Sequence, residues 1–322
     1  MIAFKDIQIN DYNTFKPFYS NYLKDKIIKS DMGVLYQQNA GLRYAIYHDC
    51  LLICRVGKFF GKCKAQLHLH PIHINDDKDI EKSVLKSLLK MGFGLYAYTD
   101  TIEAYNYNIK LFERNNRRDD IIYSKIDTIN MYGSKYKNMR SEFNKIYRDL
   151  GKKYRFLKFK INNDQLNSRV IEDVKRLNVC WCNFKDDKSP LKKYHQMINN
   201  FQKDIDLPFY IFLLYRNNEL IAYEIHEKVD PKNYIIHTRL KNYYNSDTNN
   251  VDAFMHKMCM LGGDVNDAMY NIGYAGGDKK LFNHKKHLKP KIINQSYNIG
   301  KGFMSESNFN KLIQIKTRFD RI

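Results

Sequence analysis

The chain has 322 residues, 43% of them hydrophobic, and its 54 Lys and Arg exceed its 35 Asp and Glu. The apolar content excludes a largely disordered protein, and the length predicts two domains rather than one. No run of about 18 apolar residues occurs, so the sequence predicts no transmembrane segment. The first ten residues lack the apolar core of a secretory signal, which favours a cytoplasmic protein.

The net charge of +19 favours a polyanionic partner, such as tRNA, another nucleic acid or an anionic membrane surface. The 25 tyrosines add aromatic faces on which bases can stack. An alternative explanation is an AT-rich genome, which enriches Lys, Asn, Ile and Tyr and produces a basic surface without a function.

Neither the cysteines nor the histidines form a metal-binding pattern. The six cysteines are too dispersed for a disulfide framework, and Cys180 and Cys182 have no second pair nearby for zinc. His68 and His70 would share one face of a strand, but no further ligand accompanies them. We therefore expect no metal site and no tightly bound cofactor.

The first predicted domain comprises residues 1–128. Alternating apolar runs indicate strands, and an acidic start followed by apolar residues at helical spacing indicates a helix. In chain order we expect a hairpin at 44–47 and 51–55, strands at 66–72 and 96–101, and helices around 80–89 and 102–112.

The second predicted domain comprises residues 129–322 and begins with a basic helix at 131–148. Two helices at 165–177 and 191–201 come next. Three apolar strands joined by turns follow, then a polar loop, and then alternating helices and strands. The expected elements are strands at 209–215, 220–229, 234–242, 268–272 and 291–299, helices at 251–261 and 279–288, and a basic amphipathic tail helix at 305–319.

This order of elements is the core order of a GNAT-type acyltransferase. It predicts an α/β (α+β) protein with two tandem GNAT-like domains, each a mixed, mostly antiparallel sheet flanked by helices, with the first domain degenerate. In such a core the third strand diverges from the next, and the loop after it leads into a helix whose N-terminal N–H groups attract phosphate. Here that loop contains Ser246, Thr248 and Asn250, which we expect to bind substrate.

Residues 129–300 resemble the Fem-type and phosphatidylglycerol lysyltransferase C-terminal families. In these families a basic helix precedes a strand hairpin, and a strand ending in Asn-x-Gly precedes a helix with lysine. The similar segments are GSKYKNMRSEFNK at 133–145, ELIAYEIHE at 219–227, IIH at 235–237, YNIG at 270–273 and GDKKLFNHKK at 277–286.

The resemblance implies an acyltransferase that moves an amino acid from aminoacyl-tRNA to an amine or hydroxyl. Acyl-CoA is the alternative donor, although the Q/R-x-x-G-x-G/A loop of acetyl-CoA enzymes is absent. Our catalytic candidates are Glu227 and His237 for proton transfer, and Lys285, or its neighbour Lys286, for the carbonyl or a terminal phosphate.

The remaining candidates would contact the substrate. Arg239 lies two residues beyond His237 and should share its strand face, where it could bind an anion. The other candidates lie at the strand end and in the following turn, where glycines permit tight backbone geometry. They are Asn271, Gly273, Tyr274, Gly276 and Gly277. The acidic cluster that lysyltransferase-type domains tend to carry at this place is missing.

Each candidate also has a structural explanation, because charged residues at strand ends and on basic helices are commonly solvated. Two other functions remain open: an acyltransferase that modifies nucleic-acid bases, and a non-catalytic nucleic-acid-binding protein. The tail helix at 305–319 could make peripheral contact with an anionic membrane.

Overall fold

The computed structural model of the protein describes residues 1–22, 42–161, 166–188, 190–201, 208–244, 248–273 and 277–316. The chain divides into two compact units. Unit 1 comprises Met1–Asp120 and Asn294–Ile322, and unit 2 comprises Ile121–Ile293.

The strands of the described residues fall into one sheet per unit. In chain order they are β1 (Ile2–Asp6), β2 (Leu42–Tyr47), β3 (Cys50–Phe59), β4 (Lys62–Leu67), β5 (Ile72–His73), β6 (Gly94–Tyr98), β7 (Glu113–Arg114), β8 (Asp120–Ser124), β9 (Tyr154–Lys160), β10 (Phe209–Arg216), β11 (Glu219–Asp230), β12 (Asn233–Lys241), β13 (Met269–Asn271), β14 (Ile292–Asn294), β15 (Ser296–Ile299), β16 (Phe303–Met304) and β17 (Ile313–Lys316).

Helices pack against both sheets. In chain order they are α1 (Tyr12–Tyr22), α2 (Lys78–Lys90), α3 (Thr99–Ala104), α4 (Lys125–Asn130), α5 (Lys137–Tyr147), α6 (Ser168–Lys185), α7 (Leu191–Asn200), α8 (Thr248–Leu261), α9 (Lys279–His287) and α10 (Glu306–Leu312).

The sheet of unit 1 has the order β17-β1-β2-β3-β4-β6-β15-β7, with β5 paired to β3 and β16 to β4. Among the strands that the structure describes in this unit, only β1–β17 and β4–β6 pair in parallel. Helix α2 forms where the sequence predicts it, because Asp77 accepts hydrogen bonds from the first free N–H groups. Its apolar face, with Val84, Leu85 and Leu88, is buried in the core of this unit.

The sheet of unit 2 has the order β14-β8-β13-β12-β11-β10-β9, in which β12 and β13 run in parallel. Helices α5 and α8 cover one face through Phe143 and Phe254. On the other face, Asn178 of α6 accepts a hydrogen bond from the Tyr223 hydroxyl of β11. These two mixed sheets with flanking helices confirm the predicted fold class.

The division between the units differs from the predicted boundary at 128/129. Strand β8 lies in the sheet of unit 2, beside β13, although it precedes that boundary. The single final strand predicted at 291–299 is two strands in two different sheets, since β14 belongs to unit 2 and β15 pairs with β6 and β7 of unit 1. Local patterns do not reveal these pairings, because strand partners are chosen by tertiary contacts.

The predicted tail helix at 305–319 is shorter in the structure. Helix α10 ends at Leu312, and β17 then pairs in parallel with β1. Ile313 and Ile315 alternate with polar residues and pack in the core of unit 1, which favours a strand over a longer helix. Residues 317–319 lie outside the described part of the chain, in which no helix is long and apolar enough to cross a membrane.

Candidate functional site

Strands β12 and β13 form a fork in the sheet of unit 2. Their parallel pairing covers three residue pairs and ends where Ile235 lies opposite Asn271. Strand β12 continues to Lys241, and beyond Ile235 it pairs only with β11 among the strands of the described residues. Among the described strands, this side of β12 is therefore open beyond Ile235, where β13 ends and the sequence predicts a gap in the sheet.

A β-bulge lies at the branch point of this fork. In the pairing of β11 with β12, Ile225 faces Thr238 and His226 faces Ile236, so that His237 is the extra residue. The His237 side chain is only 1% exposed, whereas the residue as a whole is partly exposed. The exposed part of this bulge is thus main chain.

The structure brings the candidates Glu227 and His237 together. Glu227 Oε2 lies 2.7 Å from His237 Nε2, and the two side chains are 5% and 1% exposed. The ring of Phe209 lies beside the imidazole, with 5.6 Å between centroids. The contact between Glu227 and His237 therefore stabilises the conformation of the bulge.

Arg239 does not share a face with His237, contrary to the prediction. The extra residue of the bulge shifts the alternation by one, and the Arg239 side chain lies on the α8 face of the sheet. Its Nε lies 2.6 Å from Glu224 Oε1, and its Nη2 is 3.1 Å from Nδ1 of His256 in α8. A buried carboxylate, rather than an open anion site, thus holds this guanidinium.

Burial and charge shift the ionisation of this inner cluster. Burial alone would raise the pKa of Glu224, but Arg239 and His226 outweigh it and lower the pKa to about 2. Burial lowers the pKa of His226, and burial together with Arg239 lowers that of His256 further. The carboxylate is therefore ionised and both imidazoles are neutral near pH 7.

Three groups of this cluster resemble a metal-binding set. Ligand atoms of Glu224, His226 and Cys259 lie within 4.8 Å of one another, all in buried residues. The guanidinium of Arg239 already forms an ion pair with the Glu224 carboxylate, with its Nη2 donating a hydrogen bond to Oε2. The positive charge of Arg239 would repel a metal ion at this carboxylate, so these three ligand atoms do not fit a metal site.

A second cluster lies where β12 reaches the first turns of α8. Lys241 forms an ion pair with Asp252, and His284 Nε2 of α9 lies 3.5 Å from the same carboxylate. The His284 side chain is 42% exposed, and burial lowers its pKa although Asp252 raises it. His284 is therefore a neutral, accessible imidazole beside a carboxylate, an arrangement that can accept a proton.

The two candidate lysines have different environments. Lys285 is buried, and its Nζ donates to the carbonyls of Ile272 (2.9 Å) and Gly273 (3.1 Å) just after β13. Lys286 is exposed on α9, with its Nζ 5.3 Å from the centre of the Phe282 ring. Lys285 therefore holds the end of β13, while Lys286 faces solvent.

The remaining candidates lie near the fork or outside the described residues. Asn271 is buried, and its side-chain oxygen accepts a hydrogen bond from Gly273 N at 2.6 Å. Gly273 and Gly277 have positive φ angles of 68° and 88°, as expected for tight turns. Helix α8 begins at Thr248, and Asn250 is half-buried in its first turn. Three candidates lie outside the described residues: Ser246, Tyr274 and Gly276.

Sequence reasoning missed the inner cluster and the Asp252–His284 contact. Glu224 and His226 alternate in an otherwise apolar strand, a pattern that signals buried polar groups and could have been found. The contact between Asp252 of α8 and His284 of α9 joins two helices and depends on tertiary structure.

No protein-family model and no curated protein matches the chain. Solved structures do share its fold. A conserved protein of unknown function from Bacteroides thetaiotaomicron has 16% identity and a TM-score of 0.69, covering 92% of this chain and 99% of that one.

Two further structures connect the fold with the families that the sequence resembles. The C-terminal domain of a putative lysylphosphatidylglycerol synthetase from Agrobacterium fabrum has 10% identity and a TM-score of 0.59, with 93% and 95% of the two chains covered. FemX has 8% identity and a TM-score of 0.60, with 94% and 98% covered. At such identities the likeness concerns the fold, and the predicted GNAT-like fold is confirmed.

Proposed function

We propose that unit 2 is an acyltransferase that moves an amino acid from aminoacyl-tRNA to an amine or hydroxyl acceptor. The observation that carries this proposal is the fork between β12 and β13, with an exposed main-chain bulge on one side and the Lys241–Asp252–His284 cluster at its end. The fold shared with a putative lysylphosphatidylglycerol synthetase domain and with FemX supports acyl transfer.

The charge of unit 2 supports a phosphate-rich donor. Residues 121–293 contain 31 Lys and Arg and 19 Asp and Glu. Lys279, Lys280 and Lys286 are exposed on α9, the helix that also carries His284. These positive charges beside the fork favour the phosphates of a tRNA acceptor end over a neutral donor. Acyl-CoA remains the alternative donor.

In the proposed reaction, the fork holds the acyl ester of the donor beside the nucleophile. The nucleophile attacks the ester carbonyl, its proton passes to neutral His284, and the imidazolium is stabilised by Asp252. The C–O bond of the ester then breaks, and the proton is returned to the leaving tRNA hydroxyl, so that charge and atoms balance. Main-chain N–H groups of the bulge stabilise the developing oxyanion, while Glu227 and His237 hold the bulge in place.

The donor test uses tRNA charged with labelled amino acids and, in parallel, labelled acyl-CoA, each offered with lipid, peptide, sugar and nucleobase acceptors. Transfer of label from tRNA supports the proposal. Transfer from acyl-CoA alone would overturn the tRNA donor while keeping acyl transfer. Binding of tRNA without transfer of any label would indicate a nucleic-acid-binding protein.

The residue test compares His284→Asn with His287→Asn on the same helix. If His284 accepts the proton, its loss lowers kcat by about 100-fold or more and removes the fall in activity at low pH. His287→Asn should keep the wild-type pH profile. An unchanged profile in His284→Asn would exclude this role.

A further inference from the structure

Within the described residues, three β-hairpins have two-residue turns with both residues in the left-handed region. Such type I′ turns favour Asn, Asp and Gly, whose side chains tolerate positive φ. Asn217-Asn218 (φ 47° and 67°) follows this preference at both positions, and His48-Asp49 (φ 47° and 54°) follows it at the second position. The turn between β3 and β4 instead contains Phe60-Gly61, with φ angles of 50° and 75°.

Phe60 is unfavourable for folding in two ways. A bulky side chain is strained at positive φ, and the ring at the tip of the hairpin is fully exposed to water. An asparagine in this turn would avoid both costs. We therefore expect a contact between Phe60 and another molecule to offset the costs of its strain and exposure.

The surroundings of the turn identify the chemistry of that contact. Lys62 and Lys64 extend from β4, and their Nζ atoms lie 6.0 and 5.3 Å from the ring centre of the half-exposed Phe303. Lys58 lies on β3 before the turn and pairs with Glu306 at the surface. Gly61 of the turn and Phe303 both line an open groove of about 320 Å³.

We propose that the β3–β4 turn inserts Phe60 into the headgroup region of an anionic bilayer, with Phe303 beside it. Aromatic rings surrounded by lysines are typical of residues at a bilayer interface, where the ring enters the acyl boundary and the ammonium groups contact anionic lipids. The charge excess around the turn favours a lipid surface over an apolar protein partner. This proposal is independent of acyl transfer, because it concerns unit 1 and is tested by binding alone.

The decisive variant is Phe60→Asn in the full chain. Removing the strain should raise the Tm by about 2–4 °C, while removing the ring should weaken binding to vesicles of phosphatidylglycerol and phosphatidylcholine by about tenfold. Leu111→Asn is the control, since Leu111 is also apolar and 65% exposed in unit 1. It should leave vesicle binding unchanged.

Co-sedimentation with these mixed vesicles and with pure phosphatidylcholine measures both parts of the contact. Wild-type protein should bind the mixed vesicles more tightly, and Lys62→Gln with Lys64→Gln should reduce that difference. Failure of the wild-type protein to bind the mixed vesicles, or equal binding by Phe60→Asn, would overturn the proposal. A lower Tm of Phe60→Asn would show that the ring stabilises the unit itself and would also overturn it.

Discussion

At the scale of single residues, the buried ion pair between Glu224 and Arg239 has the largest predicted effect on unit 2. Both side chains lie inside the sheet–α8 interface, where an unpaired charge is poorly solvated. A matched pair in such a place adds little net stability, but the loss of one partner leaves the other charge uncompensated.

We expect Glu224→Gln to lower the free energy of unfolding by about 3–5 kcal/mol at pH 7. Trp181, the single tryptophan, lies in α6 and reports on unit 2 through its fluorescence during urea unfolding. Glu219→Gln is the control, because Glu219 is exposed at the start of β11. A loss below about 1 kcal/mol in Glu224→Gln would contradict the role of the pair.

The same pair predicts the acid sensitivity of unit 2. The folded pKa of Glu224, about 2, lies below its ordinary value of 4.5, so its contribution is complete above pH 5 and is lost as the pH falls towards 2. The lowered pKa values of His226 and His256 act in the same direction, because protonation below pH 6.5 favours the unfolded chain. The free energy of unfolding, measured at a series of pH values, should fall less steeply below pH 5 in Glu224→Gln than in the wild-type protein.

At the scale of elements, a single extra residue in β12 decides which side chains meet. The bulge at His237 places His237 beside Glu227 and sends Arg239 to the opposite face, beside Glu224. Without the bulge, alternation along the strand would place His237 and Arg239 on one face. The composition of the inner cluster therefore depends on this local irregularity.

Close packing at the end of unit 1 gives a second prediction at this scale. Gly302 has a φ of 67°, its carbonyl accepts a hydrogen bond from Ala65 N, and a Cβ there would lie 2.2 Å from Ala65 O. We expect Gly302→Ala to cost about 1–2 kcal/mol for its backbone angle and about 1–3 kcal/mol for the clash.

Gly151→Ala separates the two contributions. Gly151 has a similar φ of 83°, but nothing lies within 4 Å of a Cβ at that position. It should show only the cost of the backbone angle in thermal unfolding. Equal losses for the two variants would mean that β16 and β4 are not closely packed.

At the scale of the whole molecule, the order of the strands differs from the order of the chain. Strand β15, from the C-terminal end, lies between β6 and β7 in unit 1, and β17 is the parallel partner of β1. In unit 2, β8 lies between β13 and β14. Each sheet is therefore complete only with strands from distant parts of the sequence.

A chain that ends at Ile293 should lose the native sheet of unit 1. We expect the amides of β1 and β6 to exchange rapidly with deuterium, because their partners β17 and β15 are removed. The amides of β10 and β11, which pair within unit 2, provide the internal reference and should stay protected. Continued protection of β1 and β6 would show that the C-terminal strands do not stabilise this sheet.

The sequence by itself determined helix α2 with its acidic start, the β2–β3 hairpin and the succession of strands β10, β11 and β12, because these depend on periodicity and on turn chemistry within a few residues. It also identified Glu227 and His237, which the structure joins. Only the tertiary structure decided the partners of β8 and β15, the face of Arg239 and the burial of Lys285. Strand pairing and bulges arise from contacts between distant segments, and a one-residue shift in register reverses every side chain beyond it.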